Sequence, residues 1–158
     1  MPSHLSLDLL STTTVEGLII EKYPRNLTIF RALDKRRVTV DALVDAFHEH
    51  DRAAYAETGH ARSVIDMRVS GWPSAYGISV FAFDSVHNTP CDLVESFAFV
   101  MADGFAARMM AVMLGDFIPK VRTASKIFFD ESEALHWLRE RDYDLTPRRH
   151  HDAPTKVG

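Results

Sequence analysis

Cysteine is almost absent from this chain. Cys91 stands alone among 158 residues, which excludes an intramolecular disulfide and a thiolate zinc cage. Long hydrophobic runs are missing too, since the longest falls well short of the ~20 residues a membrane-spanning helix needs. Residues 1–14 hold neither lysine nor arginine, and Ser6 and Asp8 break their apolar pattern, which is not the makeup of an export signal. A cytoplasmic location is expected. Positive charge is not in excess: 18 Lys and Arg against 22 Asp and Glu leave a net charge of −4, with no electrostatic case for nucleic acid or a polybasic membrane anchor. The sequence has no Gly-rich phosphate loop and no H-E-x-x-H. It has no Gly-x-Ser-x-Gly, and Cys91 follows Pro90 with no basic neighbour to activate it. A non-enzymatic protein without cofactor or metal is expected.

What is present is the composition of a folded domain, 46% hydrophobic and 25% charged. One domain is expected over residues 15–145, behind an arm of residues 1–14 and ahead of a polar, disordered tail of residues 146–158. Leu5, Leu7 and Leu9 alternate in the arm, as a short added strand or a loose end would allow. Two β-type runs follow, Leu18 to Tyr23 and Leu27 to Leu33, with Pro24-Arg25-Asn26 as a hairpin turn. Thr39 is placed to cap a helix from Val40 to about Ala56, in which Val40, Leu43, Val44, Phe47 and Ala54 form one stripe. Ser63 to Arg68 reads as a buried strand ended by Gly71-Trp72-Pro73. Ile78, Val80, Phe81 and Phe83 give residues 74–87 strand propensity, yet the alternating plan around them asks for a crossover helix, and helix is the expectation. Phe97 to Met101 is a strand, 104–114 a helix closed by Gly115, and Ser125 to Phe129 a strand reached through Ile118-Pro119. Asp130, with Glu133 three residues on, makes a capping-box pattern before the stripe Ala134, Leu135, Trp137, Leu138. After the hairpin, strands and helices alternate, which is the pattern of an α/β domain with parallel strands.

Three of these segments carry a family likeness: S-V-I-D-M-R from Ser63, A-F-V-M-A-D-G-F-A-A-R-M-M from Ala98, and K-I-F-F-D-E-S-E-A-L-H-W-L from Lys126. In this order, behind a hairpin and one amphipathic helix, they resemble the STAS-type domains related to anti-sigma-factor antagonists, in particular the SpoIIAA-like branch. The resemblance spans roughly residues 18–141. It implies a mixed four- to five-stranded sheet flanked by helices, and a regulatory, protein-binding role rather than chemistry. It also implies a possible hydrophobic ligand, through the structural similarity of that branch to CRAL-TRIO lipid carriers. Switching antagonists carry an acidic residue and then Ser-Ser-Gly or Thr-Ser-Gly at the turn entering the helix after the central strand. Here that stretch is Trp72-Pro73-Ser74-Ala75-Tyr76-Gly77, with Ala75 where the acceptor hydroxyl belongs and Ser74 its close substitute.

Ser74 is thus the candidate phosphoacceptor, although a serine after proline at a helix entrance is also an ordinary N-cap. His48, His50, Asp51 and His60 cluster in sequence. Residues two apart on a helix do not face one another, so His48 and His50 cannot share an ion, and a solvated face is expected for them. The helix of residues 104–114 has more apolar surface than a sheet needs to cover. Phe105, Met109 and Val112 form one stripe, suited to pack on the sheet. Ala107, Met110, Ala111 and Leu114 lie on the opposite side, where a surface helix carries charge, and Met113 adds to the methionine content. Three occupants of that second side stay open. It is covered by the chain itself, by a second subunit in a homodimer, or by an acyl-like ligand held together with Tyr76, Phe81 and Phe83.

Overall fold

The computed structural model describes residues 7–71, 73–114 and 123–142, except the side chains at 82, 85, 86, 110, 113 and 114. The polar tail and the connection through Gly115, Ile118 and Pro119 lie outside the described residues. The elements run β1 (Ser11–Val15), β2 (Leu18–Tyr23), β3 (Leu27–Ala32), α1 (Arg37–Glu57), β4 (His60–Asp66), α2 (Ala75–His87), β5 (Val94–Val100), α3 (Phe105–Leu114), β6 (Thr123–Phe128) and α4 (Glu131–Glu140). The strands form one sheet in the order β1-β2-β3-β4-β5-β6. The first three pair antiparallel and β3 to β6 pair parallel. The sheet therefore has six strands, not four or five.

The extra strand comes from the arm. Ser11 to Val15 pairs with Lys22 to Leu18, closed by Glu16 and Gly17 at φ 46° and 79°. That is the two-residue turn whose twist matches paired strands. β-Branched Thr12, Thr13, Thr14 and Val15 favour an extended backbone, so the sheet begins at Ser11 rather than after residue 14. Helix α1 also starts earlier than expected. Its N-cap is Arg36, without a side-chain cap bond. Thr39 sits inside the first turn and donates to the Glu16 carbonyl at 2.6 Å, tying the helix to the β1–β2 turn. Residues 75–87 are helical as expected, and the crossover requirement overrides their strand propensity.

Alternation along the parallel strands divides the core in two. Phe30, Ile65, Met67 and Met101 meet Leu43 and Phe47 of α1 and Ala107 of α3, with Phe81 of α2 alongside. Leu27, Ile29, Val64, Ala98, Val100 and Phe128 meet Ala134 and Leu138 of α4 on the other face. Each large side chain buried this way contributes about 2 kcal/mol. Asp130 caps α4 by accepting from Glu133 N at 3.1 Å, as its sequence pattern predicts.

Candidate functional site

The residues singled out for function fall on α2, its N-cap and α3. Ser74 is the N-cap of α2, its Oγ accepting from Gly77 N at 3.1 Å. Gly77 is buried where α2 meets α1, and a Cβ there would lie 3.7 Å from Val40. Helix α2 leans on α1 through named pairs. Tyr76 donates to Asp41 at 2.7 Å beneath the Arg37 guanidinium, 4.7 Å from the ring centroid. Phe81 meets Phe47 edge-on at 5.6 Å, and His48 contacts Asp84. Tyr76 and Phe81 are thus committed to the α1–α2 seam. Phe83 points outward, 62% exposed, and stacks on His87.

Helix α3 is turned the opposite way from the sequence expectation. Phe105, Met109 and Val112 face outward, 81%, 49% and 73% exposed, while Ala107 is buried at 3% and Ala111 is half-buried. Small alanines let the helix backbone approach β6 closely, and a helix apolar on both sides gives no pattern to say which side goes in. The side chains of Met110, Met113 and Leu114 lie outside the described residues. Arg108 pairs with Asp103 at 2.8 Å, its guanidinium 5.6 Å from the Phe129 ring centroid. Beneath α2 and α3, Phe97, Phe99, Ile127 and Phe129 are only half-buried. These four were missed from sequence, although Phe97 and Phe99 alternate with Ala98 and Val100 at the period of a strand with one aromatic face.

Two of the three clustered histidines, His50 and His60, are buried rather than solvated. His50 is buried: its Nε2 lies 3.1 Å from the Arg62 carbonyl and its Nδ1 3.1 Å from Thr28 Oγ1. A carbonyl only accepts, so Nε2 carries the proton and Nδ1 accepts from the hydroxyl. His60 is buried with Nε2 3.0 Å from Ser96 Oγ. Burial pushes both rings down to about 4, so they are neutral near pH 7. Asp51 is buried as well, and only His48 of the helix pair is half-exposed. Among the described residues no three His, Cys, Asp or Glu side chains could hold a metal ion. No helix there is long and apolar enough to cross a membrane.

A charged cluster on the opposite face joins β2, β3, β4 and α4. Arg31 reaches Glu21, Asp66 and Glu131, and Arg68 reaches Asp66 and Glu131, at 2.6–2.8 Å. The Arg31 hydrogen bonds hold the Glu131 carboxyl below its ordinary value against burial. For Asp66, burial pushes the carboxyl up, but bonds from Arg68 and Arg31 prevail and leave it lowered. Three carboxylates face two guanidiniums, so the cluster is a clamp holding α4 to the sheet rather than a site for an added anion.

No family model matches the chain, and no curated protein matches it in sequence. Among solved structures it is similar to an uncharacterized protein from the DUF3478 family with a SpoIIAA-like fold, from Shewanella loihica PV-4. The two are 17% identical with a TM-score of 0.54, the match covering 81% of this chain and 98% of that one. The likeness is one of architecture: this chain has a SpoIIAA-like mixed α/β fold, as the sequence resemblance implies.

Proposed function

We propose that this chain is a non-catalytic SpoIIAA-like module that acts by protein contact, pairing with a second copy through the outward face of α3. The observation that carries the reading is the exposure of Phe105, Met109 and Val112 on one side of a ten-residue helix. Exposed apolar clusters mark interaction surfaces. Positions four and three apart project from one flank, so the stripe can face its own copy about a two-fold axis. Arg108 and Asp103 beside it supply both signs of charge to a rim. Methionine adapts to the irregular contacts such a face makes.

A second reading has its own support. The half-buried Phe97, Phe99, Ile127 and Phe129 form an apolar floor on which an acyl-like molecule could rest. Native mass spectrometry separates the two. The contact reading expects a dimer at the mass of the bare chain; a monomer carrying a lipid-sized adduct overturns it in favour of the ligand.

A further inference from the structure

Helix α1 packs over β2, β3 and β4, and among the described residues no helix covers the same face of the sheet beyond its flank, toward the β1 edge. A groove of about 630 Å³ runs there, between α1 and the β1–β2 hairpin. Val15 and Ile20 form its floor, and Val38, Ala42 and Ala46 its helical wall. Along that wall Asp41, Asp45 and Glu49 recur every fourth residue, all exposed, and Glu16 stands at the hairpin turn. Lys22 is the lone lysine or arginine among the described residues of the lining. It lies 3.4 Å from Glu49, and Asp41 accepts from Tyr76.

We infer that this groove docks an amphipathic helix of a partner protein, with leucine-like residues on one face and lysine or arginine at every fourth position beside them. The apolar floor gives such a helix a surface to bury. The carboxylates at positions i, i+4 and i+8 of α1 match the spacing of cations on a helix laid alongside. Four carboxylates against one ammonium set the sign of the partner, because opposite potentials across an interface steer and select. The docked helix would add a place to the α1-α2-α3 layer, over the part of the sheet that the described helices leave bare. This surface is separate from the outward face of α3, and neither proposal depends on the other.

The test uses the full chain and two synthetic amphipathic helices of ~18 residues, long enough to form helix, one leucine–lysine and one leucine–glutamate. Binding is read by fluorescence anisotropy at physiological salt, and its place by amide chemical shifts. The lysine peptide is expected to bind and to shift Val15, Ile20, Ala42 and Ala46, while the glutamate peptide does not bind. The Asp45→Lys/Glu49→Lys variant is expected to bind the lysine peptide ~10-fold or more weakly, from two lost ion pairs and two new repulsions. Glu57→Lys/Glu140→Lys, an equal charge change at exposed positions outside the groove lining, is expected to stay within ~2-fold. Equal losses in both variants, shifts centred elsewhere, or no binding of the lysine peptide would overturn the inference.

Discussion

Arg31 grips Glu131 across a hundred residues of sequence: Nη1 donates to one carboxylate oxygen at 2.7 Å and Nη2 to the other at 3.0 Å. The pair joins the third strand to the first residue of the last helix. Arg31 also neutralises Glu21 and Asp66, so its removal takes the arginine from Glu21 and leaves Asp66 and Glu131 to share Arg68 in a partly buried setting.

Arg31→Met is expected to destabilise the fold by about 2–3 kcal/mol, less than for a fully buried pair because the guanidinium keeps some solvent contact. Urea unfolding measures it. Asp66 and Glu131 have folded values below their unfolded ones. Their contribution is therefore present above about pH 4 and lost as pH falls through the lowered values. The gap between wild type and variant should close in acid; a gap constant down to pH 2 would contradict the clamp.

The buried histidines act in a higher window. With rings at about 4 folded and about 6.5 unfolded, the unfolded chain takes up protons that the folded chain refuses. Stability is full above pH 6.5 and declines as pH falls toward 4, by about 1–2 kcal/mol per histidine at pH 5. His50→Gln keeps a donor for the Arg62 carbonyl and should flatten the pH 5–7 slope measured by urea unfolding. An unchanged slope would mean that His50 does not titrate as its burial requires.

Two glycines should respond in opposite directions to alanine. Gly17 has φ 79°, and a Cβ there would meet Asp34 Oδ2 at 2.7 Å. Gly17→Ala should cost more than ~1 kcal/mol. Gly77 is helical, with ordinary van der Waals space around a new Cβ, and Gly77→Ala should gain about 0.5–1 kcal/mol. Thermal unfolding of the two variants checks the hairpin turn and the α1–α2 seam together.

Ser74→Ala is expected to cost about 1 kcal/mol, while Ser74→Asp stays within a few tenths because aspartate also caps. If both variants match wild type in denaturant unfolding, the hydroxyl does not hold the start of α2.

How far the sequence reveals this molecule depends on how local each signal is. Asp130 and Glu133 announce α4 because a cap is completed within three residues. The hairpin at Pro24-Arg25-Asn26 is legible for the same reason. Ser11 to Thr14 reads as the end of an arm, with strand and loose end both open, since Ser and Thr serve strands and loops alike and only pairing with β2 decides. The facing of α3 is hidden because both of its sides are apolar and the choice is made by the fit of Ala107 against the sheet. Burial of His50 depends on partners at Thr28 and Arg62, and the clamp on α4 on residues a hundred apart. Neither has a local pattern. The aromatic floor of Phe97 and Phe99 was readable in their alternation, but its incomplete cover is a property of how the helices sit.

Sedimentation of wild type beside Phe105→Glu/Val112→Lys tests the outward face of α3 most directly, with melting curves alongside to show that the fold is kept. A dimer that becomes a monomer of unchanged melting temperature is the predicted result. A wild type that sediments as a monomer, or a variant that stays paired, would contradict it.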